Sequence, residues 1–402
     1  MDFGWTDEQE LWRKTVRDFA QKKIKPRVRE IDTNKKIPEE IIKDMGKLGL
    51  LAPTASQEYG GAGVDWTMAA IAAEELGRAD ISLAIPVLYL VEASWGYIFS
   101  QYGTKELKEE YLPKITAGKA LCGIAVTEPE GGSDIVGAAK TKAVKKGRNW
   151  VLNGEKIFIS GIVESSKWGG IHLTLARTDL KAGHKGFTLF GVPLKDTKGI
   201  KTSLFEDMGR MGISTGGFVM EDVELPDHHV IGEPNRGFYN AMEGFSAARV
   251  LIGATCVGAS EGALELGIEH IKTRKAFGRP LGSFEGIQFP LAEHHCNIDA
   301  VKLQTYRAAW VMDKMYKEKK ATHHDVAIAA AISKLRAPIY AFSVMNEVAD
   351  WLGATGYTKE YPIEMGIRGV RSYSIGAEGT MNIMRIIISR EILGKDFLPY
   401  KQ

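Results

Sequence analysis

The amino-acid sequence predicts an α+β fold in which a strand-rich middle region separates two helical regions. Apolar residues follow a helical period over about the first 120 positions, alternate with polar residues from about 121 to 236, and then return to the helical period. A chain of 402 residues is also too long for a single hydrophobic core. We therefore expect three domains, over residues 1–120, 121–236 and 237–402.

The first helix begins at a capping box. Thr6 can cap the helix while Gln9 reciprocates three residues later, and apolar residues from Trp12 to Phe19 then fall on one face. Pro26 is expected to end or interrupt this helix. Further helical segments, separated by the Gly-rich stretch "EYGGAGVD", continue to about residue 120.

The middle region contains short alternating segments that predict strands, namely "NWVLNGEKIFISG", "GIHLTLARTD", "HKGFTLFGVPL" and "GGFVMEDVELP". The Asn153-Gly154 pair predicts a type I′ hairpin turn, and "GRNW" and "KAGHKG" predict further turns. Strands at this spacing favour a small barrel or a sandwich. From about residue 237 we expect helices and no further strand.

Charge and cysteine usage exclude several classes of function. The chain has 52 Lys and Arg against 50 Asp and Glu, a net charge of +2, which argues against a dominant affinity for nucleic acid or an anionic membrane. Three widely spaced cysteines suggest neither a disulfide framework nor a zinc site. With an acidic N-terminus and no apolar run of about 18 residues, we expect a cytoplasmic protein with no membrane insertion.

Nucleotide-binding and metal-binding motifs are not evident. The sequence has no G-x-G-x-x-G after a strand and no G-x-x-x-x-G-K-S/T motif. The adjacent histidine pairs at 294–295 and 323–324 would point apart on a helix, because neighbouring helical residues do not share a face. No metal site is therefore expected.

Three segments could carry chemistry. "AVTEPEGGSD" offers Gly131 and Gly132 for close approach of the backbone to a ligand, although it could equally be an ordinary turn. "RKAFGRPLGSFEGIQ" suits a phosphate with an adjacent ring, or forms a solvated connection between helices. Glu378 lies between Ala377 and Gly379, so it is either a surface carboxylate or a base that a ligand can reach.

Five segments, taken in order, resemble the acyl-CoA dehydrogenase family over nearly the whole chain: "AVTEPEGGSD", "KIFIS", "RKAFGRPLGSFEGIQ", "LGATGYTKEYPIE" and "AEGTMNI". The resemblance implies an FAD enzyme with a helical N-terminal domain, a central β-barrel and a C-terminal four-helix bundle. It also implies a homotetramer that acts on an acyl-CoA and passes electrons to an electron-transfer flavoprotein.

The resemblance identifies Glu378 as the catalytic base. Glu378 would remove the α-proton of the thioester while the β-hydrogen leaves as hydride to flavin N5, which gives a trans-2-enoyl-CoA. The thioester oxygen would be bound by the backbone N–H of the base and a ribityl hydroxyl of the flavin. Some family members carry the base at the position of Ala248, so Glu378 has no rival here.

Matching positions imply FAD contacts in all three regions, some of them to the FAD of a neighbouring subunit. These positions are Ile124, Val126, Thr127, Ser133, Phe158, Ser160, Arg274, Phe277, Gln288, Gly353, Thr380 and Asn382. Phe158 stands where the family more often has Trp. Other positions are expected to contact substrate: Tyr89, Glu92, Ser133, Phe245, Arg249 and Gly379.

The helix "ISLAIPVLYLVEASWGYIF" is expected to shape the acyl pocket. Glutaryl-CoA dehydrogenases carry an arginine near the position of Ile85, so a dicarboxylyl substrate is disfavoured. Bulky Tyr89 and Trp95 suggest a short, branched or ring-shaped acyl group. Glu92 is either a second polar contact or faces outward.

The chain departs from the family pattern mainly where glutamine, glycine or arginine is usual. The departures are Glu285, Asp350, Ala354, Met384, and Met211 or a shifted Arg210.

Two alternatives to a dehydrogenase are an oxidase or flavin monooxygenase, which tends to lose the base, and a non-catalytic DNA-associated family member, which needs a strongly basic C-terminal region. Glu378 argues against the first, and the net charge of +2 gives little support to the second.

Overall fold

The computed structural model describes residues 4–397. Residues 1–3 and 398–402, the two ends of the outer domains expected from the sequence, lie outside the described residues. The remainder follows the order helices, strands, helices, and the predicted α+β fold class is confirmed.

The N-terminal region is helical. Among the described residues, six α-helices precede the first strand: α1 (Asp7–Phe19), α2 (Val28–Asn34), α3 (Glu39–Lys47), α4 (Trp66–Ala79), α5 (Ala84–Tyr102) and α6 (Lys105–Thr116). The predicted capping box is present, because Thr6 Oγ1 accepts from the Gln9 N–H and Gln9 Oε1 accepts from the Thr6 N–H. A π-helical stretch, Ala20–Ile24, and a short turn with Pro26 then interrupt the helix as expected.

Helix α5 lies at the centre of the molecule. It is apolar on nearly every face and contacts α4, which precedes it, as well as the first strand and the long helix that opens the C-terminal region. A helix that is hydrophobic all round must be buried. Because α5 is packed on several sides, its position stays fixed even where one of its faces lines a cavity.

The middle region forms one mixed sheet. Its strands are β1 (Leu121–Ala125), β2 (Lys142–Lys146), β3 (Asn149–Ser160), β4 (Gly170–Arg177), β5 (Phe187–Val192), β6 (Ile200–Leu204), β7 (Thr215–Pro226) and β8 (Val230–Ile231). The order is β6-β7-β3-β2-β4-β5-β8, and β1 pairs parallel to β4. Two short helices, α7 (Ile135–Ala138) and α8 (Ile162–Trp168), follow β1 and β3.

The hairpin turn predicted at Asn153-Gly154 is wrong. Strand β3 runs through both residues, and its pairing with β7 shifts register between Leu152 and Gly154. A Cβ on Gly154 would lie 2.4 Å from Thr141 Oγ1, so the glycine lets β3 pass close to the residue that precedes β2 and does not form a turn. The β2–β3 turn lies earlier, at Gly147, where φ is 62°.

The C-terminal region returns to helices: α9 (Gly237–Thr273), α10 (Glu285–Tyr316), α11 (His323–Leu352), α12 (Ile363–Ile375) and α13 (Met381–Leu393). Helix α9 packs against α10 and α11, while α12 and α13 pack on α11. One expectation needs correction, because two short strands, β9 (Lys275–Ala276) and β10 (Arg279–Pro280), pair across the Gly-Arg-Pro turn.

Two helical stretches in the described part of the chain have the length and composition of a membrane span, Gly237–Thr273 and His323–Tyr357. The most apolar window of the first is 72% buried inside the protein and that of the second 56%. Core helices pass the same test, so the stretches are weak evidence for membrane insertion. The expectation of no insertion stays a prediction.

Candidate active site

A cavity of about 730 Å³ opens where the two helical regions meet the sheet. Its wall takes side chains from α5, from β1 and β3 and the segments after them, from α9, and from the segment that joins α12 to α13. Most of the site residues expected from the sequence line this one cavity: Ile124, Val126, Thr127, Ser133, Phe158, Ser160, Phe245, Arg249, Glu378, Gly379 and Thr380.

Glu378 lies in the wall of this cavity, in the loop between α12 and α13. Its φ is 54°, and that of Gly379 is 92°. A left-handed backbone is uncommon for a residue with a side chain, so the loop must be held from outside. Burial raises the pKa of Glu378 to about 7, although the charges of Arg249, Lys334 and Arg210 oppose this rise.

Two buried cations hold the loop by its carbonyl oxygens. Arg249 Nε, on α9, donates to Glu378 O at 2.9 Å, and Lys334 Nζ, on α11, donates to Gly379 O. Thr380 caps α13, because its Oγ1 accepts from the Ile383 N–H at 3.3 Å. Lys334 is a residue that the sequence reasoning missed. Its signal was a lone lysine in the apolar stretch "AAAISKLRAP".

Arg210 is a further cation in the cavity wall. It lies in the segment before β7, where the family usually has an arginine. From the sequence this arginine was either replaced by Met211 or shifted to Arg210, and Arg210 lines the cavity. Its Nε is buried without a hydrogen-bond partner in the described part of the chain, and Asp207 lies 3.7 Å from its guanidinium. The cavity therefore contains a guanidinium with unused donors.

The segment after β1 is fixed by a buried ion pair. Lys156 Nζ donates to Glu128 Oε1 at 2.7 Å and to Val126 O at 3.0 Å, and the same carboxylate accepts from the Thr141 N–H. Both charged side chains are almost fully buried. This pair orders the backbone around Thr127, and neither residue was singled out from the sequence.

Phe158 is held with its ring toward solvent-accessible space in the cavity. Its φ is 57°, and the pairing of β3 with β7 shifts register between Lys156 and Ile159. The side chain is 66% exposed, with the ring of Phe205 at 5.2 Å. A strained backbone that displays a large apolar ring is typical of a binding surface.

Comparison with known proteins identifies the family. The models for the acyl-CoA dehydrogenase N-terminal, middle and C-terminal domains match residues 6–119, 123–223 and 235–393. The chain belongs to the acyl-CoA dehydrogenase family.

Relatives in this family are similar over almost their whole length. A short-chain specific acyl-CoA dehydrogenase of Clostridium acetobutylicum is 34% identical, over 98% of this chain and 100% of the relative. A 3-(aryl)acrylate reductase of Clostridium sporogenes is 35% identical, over 97% of this chain and 99% of the relative. A solved glutaryl-CoA dehydrogenase of Mycobacterium smegmatis in complex with FADH2 is 25% identical, with a TM-score of 0.88, over 99% and 97% of the two chains.

The cofactor of this acyl-CoA dehydrogenase family member is FAD, and the cavity fits it. Phe158 offers an aromatic face for a flat ring, and the hydroxyls of Thr127, Ser133 and Ser160 lie in the same wall. Thr215 Oγ1, also in the wall, is buried without a hydrogen-bond partner among the residues described. An apolar face surrounded by unused polar groups suits a flavin ring with a polar edge.

The remaining FAD positions expected from the family resemblance lie away from the main cavity. Asn382 lines a neighbouring hollow of about 500 Å³ together with Ser133 and Thr380. Phe277 is 96% exposed, and Gln288 Nε2 donates to a carbonyl of its own segment, Gly282 O. Arg274 and Gly353 also lie outside the wall of either cavity. Their contacts to the cofactor of a second subunit stay a prediction.

The expected acyl-pocket residues need correction. Tyr89 is buried with its hydroxyl donating to Ala69 O on α4, and the Glu92 carboxylate accepts from the Cys122 N–H on β1. Neither side chain lines the cavity. Val87, Leu90 and Val91 do so instead, because spacing of three and four residues places them on one face of α5. The sequence identified the helix but not the face.

Proposed function

We propose that this flavoprotein oxidoreductase acts on the CH–CH bond of an acyl-CoA thioester, with Glu378 as the base that removes the α-proton. The observation that carries the proposal is the placement of Glu378 in the cavity, where burial raises its pKa to about 7. A base whose pKa is near the working pH combines a useful ionised fraction with a strong affinity for the proton. A surface glutamate would be a much weaker base.

The chain itself supplies binding, orientation and proton transfer. Glu378 takes the α-proton on its carboxylate, and its own backbone N–H has no acceptor among the described residues, which leaves it free to bind the thioester oxygen. Thr127, Ser133 and Ser160 would hold the polar edge of the cofactor, and Phe158 its flat face. The chemistry that bound FAD supplies is acceptance of the β-hydrogen as a hydride.

The acyl group that we propose is short, branched or ring-shaped and carries no distal charge. The α5 face of Val87, Leu90 and Val91 is apolar, and Phe245 and Ala377 continue the same wall. The relatives reported above are named for different acyl groups, so overall identity does not select among them. Arg210 also lines the cavity and would favour an anionic acyl group, so a dicarboxylyl thioester is the most direct test of the proposal that the acyl group carries no distal charge.

We also propose that the protein is a homotetramer and that an electron-transfer flavoprotein accepts its electrons. Large apolar side chains are exposed on the C-terminal helices and the segment before α10, as expected for a surface covered by another subunit. They include Phe277, Phe289, Trp310 and Ile392. The cytoplasmic location expected from the sequence stays a prediction.

Anaerobic bleaching of the bound flavin tests the proposed reaction. Purified holoprotein would be mixed with straight, branched, cyclic, aromatic and dicarboxylyl acyl-CoA thioesters, and absorbance would be followed in a stopped-flow instrument. We expect fast bleaching by at least one uncharged thioester, and a Glu378→Gln variant that binds FAD but is slower by about 10²-fold or more. Bleaching by none of them would overturn the reaction, and an equally fast variant would overturn the role of Glu378.

A further inference from the structure

Lys334 is a lysine buried in the middle of a long helix. Its side chain is 0% exposed on α11, which packs against α9 and α13. An ammonium group is costly to remove from water unless acceptors and opposite charge replace the lost hydration. The burial of the Lys334 ammonium group therefore needs a specific explanation, because packing of the helices alone does not stabilise a buried charge.

The reason lies in the loop that carries Glu378. Lys334 Nζ donates to Gly379 O, and Arg249 Nε donates to the preceding carbonyl, Glu378 O, at 2.9 Å. Two consecutive carbonyls are thus bound by cations from two different helices. Both belong to residues with positive φ, and at Glu378 this conformation is costly because its Cβ crowds the backbone, whereas Gly379 adopts it freely.

We propose that Lys334 is a positioning residue for Glu378: it fixes the loop from α11 and its charge favours the ionised form of the carboxylate. The inference rests on the proposed role of Glu378 as the base. A purely structural lysine would hold α11 to the loop without any effect on the carboxylate.

The charges around the pair set the sign of the effect. Lys334 faces Arg249 and Cys256 from α9 and Glu378 from the loop. Glu378 faces the same Arg249, Lys334 itself, and Arg210 from the segment before β7. Because Lys334 is one of the cations that oppose the rise caused by burial, its loss raises the pKa of Glu378 further.

A double-mutant cycle tests the coupling without any need for turnover. Lys334→Met, which keeps a long unbranched side chain, would be combined with Glu378→Gln, and the thermal midpoints of all four holoproteins would be measured at pH 5.5 and 7.5. Burial lowers the pKa of Lys334 to about 8, so at pH 7.5 most of Lys334 is protonated and most of Glu378 is ionised. At this pH we expect Lys334→Met to lower the midpoint more with Glu378 present than in the Glu378→Gln background. At pH 5.5, where Glu378 is protonated, Lys334→Met should lower the midpoint equally in both backgrounds.

A kinetic measurement supplements the cycle. In the bleaching reaction, Lys334→Met should move the pH midpoint upward by about one pH unit, which is a tenfold change in the protonation equilibrium, while substrate affinity changes little. Lys302→Met is the matched control, because Lys302 Nζ binds Glu74 and Glu261 in the same helical region and not the loop. It should lower stability without moving the midpoint.

If Lys334→Met does not fold, Lys334→Gln replaces it, since an amide is neutral and can still donate a hydrogen bond. If the substitution of Lys334 lowers the thermal midpoint equally with Glu378 present and in the Glu378→Gln background, at both pH values, the positioning role is overturned. Coupling at pH 7.5 with no bleaching of the unmodified protein by any thioester would instead overturn the proposed reaction and leave the electrostatic pairing established.

Discussion

The raised pKa of Glu378 comes from burial and not from a neighbouring anion. The cations Arg249, Lys334 and Arg210 all act in the opposite direction, and the result is a value of about 7. Removing water from a carboxylate disfavours its charged form, whereas nearby positive charge restores part of it. The same three cations remain when the Glu378 carboxylate takes up the α-proton and becomes neutral. The site therefore stays positively charged after proton transfer.

This balance predicts the pH dependence of the reaction. The base must be ionised, so the rate of flavin bleaching at saturating thioester should rise with pH through an inflection at about 7 and then level off. Below the inflection the rate should fall by about tenfold per pH unit. Stopped-flow rates between pH 5.5 and 9 check this. A flat profile in the Glu378→Gln variant is the control, and a flat profile in the unmodified protein would contradict the assignment.

At the scale of one element, α5 shows how a helix divides its faces between packing and substrate. Tyr89 and Glu92 are held toward α4 and β1 by hydrogen bonds, while Val87, Leu90 and Val91 face the cavity. The helix is apolar all round, so its composition does not distinguish the two faces. The acyl pocket depends on the rotation of this helix about its axis.

A larger side chain on the cavity face should change acyl preference. We expect Leu90→Phe to lower kcat/KM for branched or ring-shaped thioesters by about tenfold or more relative to the smallest acyl group, because the ring fills space that a bulky acyl group needs. Leu88→Phe, a substitution at a buried residue outside the cavity wall, controls for packing damage. It should lower stability by about 1–3 kcal/mol with the preference unchanged. An unchanged preference in Leu90→Phe would place the acyl group elsewhere.

At the scale of the whole molecule, the three regions each supply part of one site. Helix α5 comes from the N-terminal region, Thr127 and Phe158 from the middle region, and Arg249 and Glu378 from the C-terminal region. The wall of the cavity is therefore complete only when all three regions are packed together. Phe277 is 96% exposed, and in the proposed homotetramer it is a residue that we expect a second copy of the chain to cover.

The assembly can be tested at this exposed ring. Phe277→Asp places a charge where we expect another subunit to dock, so the mass from light scattering should fall below that of the unmodified protein, with loss of FAD. Leu180→Asp puts the same charge on an exposed apolar residue of the middle region and should change neither quantity. Unchanged mass and FAD content in Phe277→Asp would remove this residue from the interface.

The sequence by itself determined the order of helices and strands, the capping box at Thr6 and the glutamate between small residues, because local periodicity and short motifs carry these features. Tertiary structure decided what local patterns leave open: the strand through Asn153-Gly154, the face of α5, the burial of Lys334 and the place of Arg210 in the cavity wall. Each depends on which distant atoms lie against a residue. The glycine fits against Thr141, and the lysine finds its acceptor 45 residues away, so neither contact can be inferred from neighbouring sequence.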